Sequence, residues 1–462
     1  MVTLREIVTP TNLEWQQMQE KLHHNHTLAG LVLAAWQIGL WLANALVEAE
    51  LNQRAQQAID WERCPKCGAT LHSKGYVSRR ILTLVGQVEW RRRVGRCPNR
   101  CSGSQAVPFD KILGITPYQQ TSVELMRLGC LLAVFVPFEI AVSLLKQLSG
   151  VSVSDATLWQ WVQHYGQAGM SQEQAQLSAW EAGEHPPVEA IAAQTAALPL
   201  LIGADGVTVP FRPHPRSNKG KIVFQEIKVA LLSRLGHRFN RSGEPVTQLM
   251  QRRLVAVRGS IYDLQVRLQI EAHRQGMATA PQVVWISDGA RGFWCLFERC
   301  FASVAVGILD FYHACEHLNA AAQAYGKTLP NRTATEWFER LRHQLRHGYV
   351  HHILKEFETL LRYPSTPASA KTTLQQVRSY LTTHLQHLQY RQFKKLGLPI
   401  GSGMVESACK WLISQRFKGT GMRWSEAGFD HLLYLRLAWV NHRFDPLFAK
   451  HSLSPTLYSP NQ

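Results

Sequence analysis

Apolar and polar positions alternate in two different ways along the chain. Residues 28–47 are almost wholly apolar, and residues 121–135 and 138–148 carry apolar side chains at helical spacing. After residue 197 the pattern changes to short apolar runs that predict strands, at residues 198–209, 222–232, 254–257, 283–289 and 304–309. Helical patterns at residues 261–274 and 291–300 separate the last three runs. The chain therefore divides into a largely helical N-terminal part and an α/β part.

The α/β part has the order three strands, helix, strand, helix, strand. This order is typical of an RNase H-like core, which is the fold that we expect here. Three further helices are predicted at residues 337–347, 350–362 and 372–388. After them, Gly401-Ser402-Gly403 predicts a tight turn that opens another helix, with Glu406 in its first turn.

The N-terminal part contains a pattern like that of a helix-turn-helix. Gly150 is expected to end one helix, and residues 151–155 predict a turn and N-cap for the next, at residues 156–164. Two short helices joined in this way suit DNA contact, although their aromatic residues would serve equally as core. Residues 167–197 are rich in Ala, Glu and Gln and are expected to form a linker.

Carboxylates occupy notable places in the α/β part. Asp205 lies at the centre of the first strand, Asp288 ends the fourth, and Asp310 and His313 follow the fifth. Either of the first two, taken alone, would more readily be a turn former beside its glycine. Two strand-borne aspartates in this order, with Glu406 on a later helix, instead favour a metal site. The alternative for Glu406 is that it merely stabilises the start of its helix.

Four of the nine cysteines form two close pairs. Cys64 and Cys67 make the first pair, Cys97 and Cys101 the second, and 29 residues separate the pairs. Four thiolates at this spacing can hold one tetrahedral Zn²⁺ on a small sheet, as in a zinc ribbon, and they leave no open metal position for a substrate. A module without zinc remains the alternative. The other five cysteines are expected to be small core residues: Cys130, Cys295, Cys300, Cys315 and Cys409.

Positive charge is in large surplus. The chain has 50 Lys and Arg against 33 Asp and Glu, a net charge of +17. Such a surplus is typical of proteins that bind a polyanion, although a merely solvated basic surface is the alternative. The basic residues gather beside the cysteine pairs and around the Glu406 helix. The candidate DNA-binding residues are Arg91, Arg92, Arg93, Arg96, Lys410, Arg416, Lys418 and Arg423.

The N-terminal residues bear on location. Residues 1–27 lack the basic, apolar and small-residue segments of a signal peptide. Residues 28–47 are about long enough to span a bilayer, but acidic Glu48 and Glu50 follow and no basic cluster flanks them. We therefore expect a buried or oligomerising helix, no membrane span, and a cytoplasmic protein.

Four segments together resemble the DDE transposases of ISKra-type insertion sequences, bacterial relatives of the Mutator-like group. The likeness runs from about Cys64 to Arg443. The segments are 287–290 (SDGA), 309–318 (LDFYHACEHL), 397–407 (GLPIGSGMVES) and 419–425 (GTGMRWS).

The resemblance implies an RNase H-like catalytic domain interrupted by a helical insertion. It implies that Asp205, Asp288 and Glu406 are catalytic and hold two Mg²⁺, or Mn²⁺, and that Asp310 and His313 form an accessory Asp-x-x-His element. The expected activity is cleavage of double-stranded DNA at the ends of an insertion sequence, followed by strand transfer. A homo-oligomer is expected, because two element ends must be held, and the protein is expected to associate with the bacterial nucleoid.

Two rivals to the transposase stay open: an RNase H-fold nuclease that hydrolyses without joining, and an inactive, transposase-derived DNA-binding regulator.

The expected organisation of the chain has seven parts. They are a helical region (1–60), a zinc ribbon (61–110), a helix-turn-helix-like region (111–170), a linker (171–196), the first part of the core (197–318), the helical insertion (319–396), and the remainder of the core with the Glu406 helix and a C-terminal helix (397–450).

Overall fold

The computed structural model describes residues 8, 13–103, 105–213, 222–243, 245–326 and 333–449. The chain divides into two compact units, the first made of residues 1–165 and 442–462 and the second of residues 166–441. The long helix Asp155–Glu181 contains residues of both units. Each unit has its own sheet.

The first unit combines a β-hairpin with helices. Strands β1 (His72–Thr83) and β2 (Gly86–Arg96) pair antiparallel. A small core of Ala55, Ile81, Val88, Trp90 and Phe109 lies beneath the hairpin. The helices are α1 (Leu13–His23), α2 (Leu28–Ala55), α3 (Pro108–Ile112), α4 (Val123–Phe135), α5 (Phe138–Ser149), the first part of α6 (Asp155–Glu181), and α18 (Pro446–Ala449).

Helix α2 packs on β2 through its C-terminal end and is otherwise largely uncovered. Leu51 and Ala55 join the small core, whereas Leu28, Val32 and Trp36 are exposed. By length and composition alone, this is the one helix in the described ranges that is apolar enough to cross a membrane. The expectation of a buried helix is therefore wrong for its N-terminal half, while the oligomerising alternative stays a prediction.

The second unit is built on a five-stranded mixed sheet in the order β5-β4-β3-β6-β7. Strands β3, β4 and β5 are antiparallel neighbours, and β6 and β7 run parallel to β3. The strands are β3 (Leu200–Phe211), β4 (Val223–Phe239), β5 (Pro245–Arg258), β6 (Val283–Ser287) and β7 (Ala305–Leu309). All five predicted strands are confirmed, and β4 and β5 extend well beyond their apolar runs.

Helices flank this sheet and complete its core. A buried cluster that includes Leu201, Trp285, Phe297 and Leu341 joins sheet and helices. The helices are α7 (Ala193–Ala196), α8 (Ile261–Arg274), α9 (Arg291–Cys300), α10 (Phe311–Gly326), α11 (Ala334–Arg346), α12 (Val350–Arg362), α13 (Ala368–Thr383), α14 (Tyr390–Lys395), α15 (Gly403–Cys409), α16 (Gln415–Phe417) and α17 (Glu426–Val440). A π-helical turn, Lys410–Ser414, joins α15 to α16.

Two expectations need correction. The predicted helix at residues 156–164 continues to Glu181, so much of the expected linker is helical. Its apolar positions are sparse, which is why the pattern favours a linker, although Ala, Gln and Glu are strong helix formers. Cys295 is exposed and is not a core residue, whereas Cys130, Cys315 and Cys409 are buried as expected.

Candidate active site

Asp205 lies on the central strand of the five-stranded sheet. One of its carboxylate oxygens accepts a hydrogen bond from the backbone N–H of Gly206, at 2.7 Å. Burial raises the pKa of Asp205, and the negative charges of Asp288 and Glu406 raise it further. A cation bound beside Asp205 would therefore stabilise the charged form of this carboxylate.

Asp288 follows directly after β6. Because β3 and β6 are parallel, with Ala204 opposite Ser287, the residue that follows each of these is an aspartate, and both aspartates lie where β6 ends. The Asp288 carboxylate accepts a hydrogen bond from the N–H of Ala290, at 3.1 Å. Burial raises the pKa of Asp288 as well. Sheet register thus places Asp205 and Asp288 side by side.

Glu406 reaches the same place from α15. This helix sits close against β3, since a Cβ at Gly203 would collide with the Val405 side chain. The Ser402 hydroxyl donates a hydrogen bond to Glu406 Oε1, at 3.2 Å, and the His313 Nε2 atom lies 3.9 Å from the same oxygen. The absence of a side chain at Gly203 therefore lets the Glu406 helix approach the strand that carries Asp205.

Asp310 ties the end of β7 to the turn before α15. Its carboxylate is fully buried and accepts hydrogen bonds from the N–H of His313, at 2.8 Å, and from the N–H of Ser402. A backbone hydrogen bond from Phe311 to Ile400, at 2.8 Å, closes the same junction. Asp310 thus acts on the site through the backbone that it holds.

His313 stands in the first turn of α10, between two carboxylates. Its Nδ1 atom is 3.5 Å from Glu316 Oε2, and its Nε2 atom faces Glu406. The positive form of His313 lowers the pKa of both Asp205 and Asp288, which places it close to the pair. The structure thus brings together all five predicted residues of this site.

Two neighbours of the site were missed by sequence reasoning. Tyr380, on α13, packs against Gly289, directly after Asp288, and its ring stacks on that of His317 with 3.9 Å between centroids. Tyr380 is 92 residues beyond Asp288, within a helical pattern that marks it as packing alone. His317 belongs to the 309–318 segment, and its motif was the one signal that could have identified it.

The carboxylate site suits a hard cation by the chemistry of its donors. Two aspartates and one glutamate offer the oxygen ligands that Mg²⁺ prefers, and burial, with repulsion from Asp288 and Glu406 added to it, raises the pKa of Asp205. The oxygens are nevertheless not drawn into one tight cluster. Within the described ranges, one group of three or more potential metal ligands has all its ligand atoms within 4.8 Å of one another. That group is the four cysteines Cys64, Cys67, Cys97 and Cys101.

The second candidate metal centre lies in the first unit. The ligand atoms of Cys64, Cys67, Cys97 and Cys101 all lie within 4.8 Å of one another, so the four cysteines cluster closely enough to hold a metal ion. Zn–S bonds of about 2.3 Å in a tetrahedron place sulfurs about 3.8 Å apart, which this spacing accommodates. Hydrogen bonds lower the pKa of Cys67 to about 6, and the largest contribution comes from the backbone of Ala69.

The predicted DNA-binding residues divide by exposure. Arg91, Arg96, Lys410, Lys418 and Arg423 are exposed, and Arg93 is half-buried. Arg93 donates a hydrogen bond to the Tyr76 hydroxyl, at 2.9 Å, and its guanidinium lies 5.4 Å from the centre of the Tyr76 ring. These six side chains are placed where an anion in solution can reach them.

The prediction that Arg92 and Arg416 bind DNA is wrong, because both side chains are buried. Arg92 forms an ion pair with Asp110, at 2.9 Å, and donates to the backbone oxygen of Val77. Arg416 is 1 % exposed and lies over the Trp424 ring, at 5.3 Å, and burial lowers its pKa to about 10. Both guanidinium groups are committed to the fold.

Comparisons with known proteins found similarity to a curated protein sequence and to a solved structure. A protein described as "UPF0236 protein in vanSb 3′region", from Streptococcus gallolyticus, is 24% identical over 377 residues, covering 80% of this chain and 74% of the relative. The Drosophila P element transposase in its strand transfer complex gives a TM-score of 0.34 at 10% identity, covering 70% of this chain and 93% of that one. No protein-family profile matches the chain.

Proposed function

We propose that this chain is a DDE transposase of the ISKra type, which cleaves DNA at the ends of an insertion sequence and joins those ends to a target. The observation that carries the proposal is that Asp205, Asp288 and Glu406 come together where β6 ends beside the central strand β3. Three remote segments of the chain supply these carboxylates. The 24% identity to the Streptococcus gallolyticus protein over most of both chains is compatible with it but adds no chemistry.

The fold assignment that goes with this function is an RNase H-like core. Its support is the sheet order β5-β4-β3-β6-β7, with three antiparallel strands followed by two parallel ones. The central strand and its parallel neighbour carry the two aspartates. Helices α11 to α14 stand between β7 and the Glu406 helix, in the position expected of the insertion.

Asp205, Asp288 and Glu406 would hold the Mg²⁺ ions of this enzyme, with Mn²⁺ as a substitute. When bound, two such ions activate an attacking oxygen and stabilise a leaving oxygen. The chain's own groups hold the carboxylates in place. Ser402 and His313 face Glu406, and Asp310 fixes the backbone on which Ser402 stands.

The reaction consists of two displacements at phosphorus. Water first replaces the 3′ oxygen at the element end, which leaves a free 3′-OH. That hydroxyl then replaces an oxygen of the target phosphodiester, so one P–O bond forms for each that breaks. In this proposal, Asp310 and His313 orient the site or the scissile strand, and the position of His313 beside Glu406 supports that role.

In this proposal, DNA is held by basic residues whose side chains are exposed or half-buried. In the first unit these are Arg91, Arg93 and Arg96 on β2, beside the four-cysteine centre. In the second unit they are Lys410, Lys418 and Arg423, which follow Glu406 in the sequence. Phosphate contacts of this kind give affinity and orientation without reading base sequence.

A second copy of the chain is the proposed occupant of the exposed face of α2. Residues 28–47 carry no charged side chain in a chain of net charge +17, so two copies can meet there without like-charge repulsion. The most exposed apolar residues, Leu28, Val32, Leu33 and Trp36, extend along about 12 Å of helix.

Joining of strands is the product that separates this function from its rivals. The experiment incubates purified full-length protein with Mg²⁺, a labelled duplex carrying one end of the element, and a target plasmid. The flanking DNA of the gene supplies the duplex sequence. The transposase yields joined product, the nuclease yields cleaved DNA alone, and the regulator shifts the duplex without cleaving it.

A further inference from the structure

Tyr380 links the helical insertion to the loop that carries Asp288. It lies on α13, and its ring is stacked on His317 at an interplanar angle of 29°. The hydroxyl end of the ring meets Gly289, where any Cβ would collide with both the ring and the hydroxyl. The insertion therefore touches the residue directly after Asp288.

The Tyr380 hydroxyl is buried without a hydrogen-bond partner in the described part of the chain. A buried, unpaired polar group lowers stability, and such a group in a folded protein calls for an explanation. Burial, followed by the charges of Asp288 and Asp310, raises the pKa of Tyr380, so the hydroxyl keeps its proton. What stands beside the Asp288 loop is thus an unused hydrogen-bond donor.

We propose that Tyr380 is a positioning residue, whose hydroxyl donates to the Asp288 carboxylate when the site binds its divalent cation. This inference rests on the proposed function, because it takes Asp288 to be a ligand of that cation. Asp288 now accepts from the N–H of Ala290 through one oxygen, which leaves its second oxygen for other partners. Because the hydroxyl belongs to the helical insertion, a segment outside the sheet helps to set the geometry of the carboxylate site.

The role of the hydroxyl can be separated from that of the ring. Tyr380→Phe keeps the packing against Gly289 and His317 and removes the donor alone. Since the hydroxyl has no partner in the fold, its loss leaves the melting temperature unchanged or raised. A role in packing alone predicts no further effect of Tyr380→Phe. A role in positioning Asp288 predicts weaker cation binding and slower cleavage at an intact fold.

The test compares wild type, Tyr380→Phe and Tyr363→Phe, all as full-length protein. Tyr363 is an exposed tyrosine just after α12 and serves as the matched control. Three quantities are measured: the Mn²⁺ affinity by calorimetry, the Mg²⁺ midpoint of cleavage, and kcat and KM for an element-end duplex. We expect Tyr380→Phe to weaken Mn²⁺ binding and lower kcat, each by about tenfold, with KM unchanged.

Each outcome decides the inference. Wild-type Mn²⁺ affinity in Tyr380→Phe overturns it, whether or not the protein cleaves DNA. A wild-type chain that binds Mn²⁺ but cleaves no duplex contradicts the proposed transposase, and the comparison of Mn²⁺ affinities still decides the role of Tyr380. An equal loss in Tyr363→Phe also overturns the inference, because that hydroxyl lies at the surface.

Discussion

The Asp310 carboxylate accepts a hydrogen bond from the backbone N–H of Ser402, a residue 92 positions further along the chain. Asp310 follows directly after β7, and Ser402 stands one turn before Glu406 and donates a hydrogen bond to it from its hydroxyl. One buried carboxylate therefore fixes where the last of the three proposed catalytic groups lies. The second oxygen of Asp310 holds the first turn of α10, and with it His313.

Replacement of Asp310 is expected to harm both stability and activity. Asp310→Ala leaves the N–H groups of His313 and Ser402 without their acceptor, which costs roughly 1–3 kcal/mol for each group. Chemical denaturation of this variant should show that loss, and its cleavage rate should fall because Glu406 is released. Asp60→Ala, at an exposed site, is the control. A fully stable and active Asp310→Ala protein would contradict the positioning role of Asp310.

The four-cysteine centre should hold one zinc ion per chain. Structural zinc contributes about 10 kcal/mol or more of binding free energy, so Cys64→Ser should release the metal and unfold the surrounding segment. Elemental analysis measures the zinc, and limited proteolysis between residues 61 and 101 measures the unfolding. Cys295→Ser, at an exposed cysteine outside the centre, should change neither. Wild-type protein that contains no zinc would refute the assignment.

Neighbouring arginines on β2 should behave in opposite ways. Arg91→Ala, at an exposed side chain, should weaken DNA binding at an unchanged melting temperature, and reduce the salt dependence of log K by about 0.9 for each phosphate that the variant no longer neutralises. Arg92→Ala instead leaves Asp110 in a buried pair without its partner, which costs about 3–5 kcal/mol of stability. Filter binding at several salt concentrations and thermal unfolding separate these effects. Equal behaviour of Arg91→Ala and Arg92→Ala would contradict the assignment by burial.

The exposed face of α2 should mediate self-association. We expect the 52.3 kDa chain to have about twice that mass in solution, and Val32→Glu with Trp36→Glu to reduce it to a monomer, because charge cannot be buried unpaired. Light scattering after gel filtration measures the masses. Gln53→Glu, at an exposed position near the C-terminal end of the same helix, is the control. A monomeric wild type would overturn this role of α2.

Hydrophobic periodicity was sufficient to predict much of the fold. The helices Ile261–Arg274 and Val350–Arg362 begin and end where the pattern predicts, and the Ser260 capping box marks the start of the first. Strands β4 and β5 were predicted too short because they pair beyond the apolar core, where polar residues such as Arg238 face solvent. Hydrophobic periodicity alone does not reveal where two strands continue to pair beyond the apolar core.

The candidate site was less predictable, because contacts between remote segments determine it. The motifs identified Asp205, Asp288 and Glu406, but not that Ser402 and Asp310 would hold the helix of Glu406. Arg92 differs from Arg91 only in the face of β2 on which it lies, and its partner Asp110 is 18 residues away. Tyr380 resembles any apolar position of a helix until α13 is packed against Gly289.

The central claim is tested most directly by Mg²⁺-dependent cleavage of an element-end duplex by wild type, Asp288→Asn and Glu406→Gln, with duplex affinity measured in parallel. Both substitutions keep side-chain size and remove one negative charge. The account predicts cleavage by wild type, none by either variant, and equal DNA affinity for all three. Cleavage by either variant at the wild-type rate would contradict the assignment of the three carboxylates as the catalytic site.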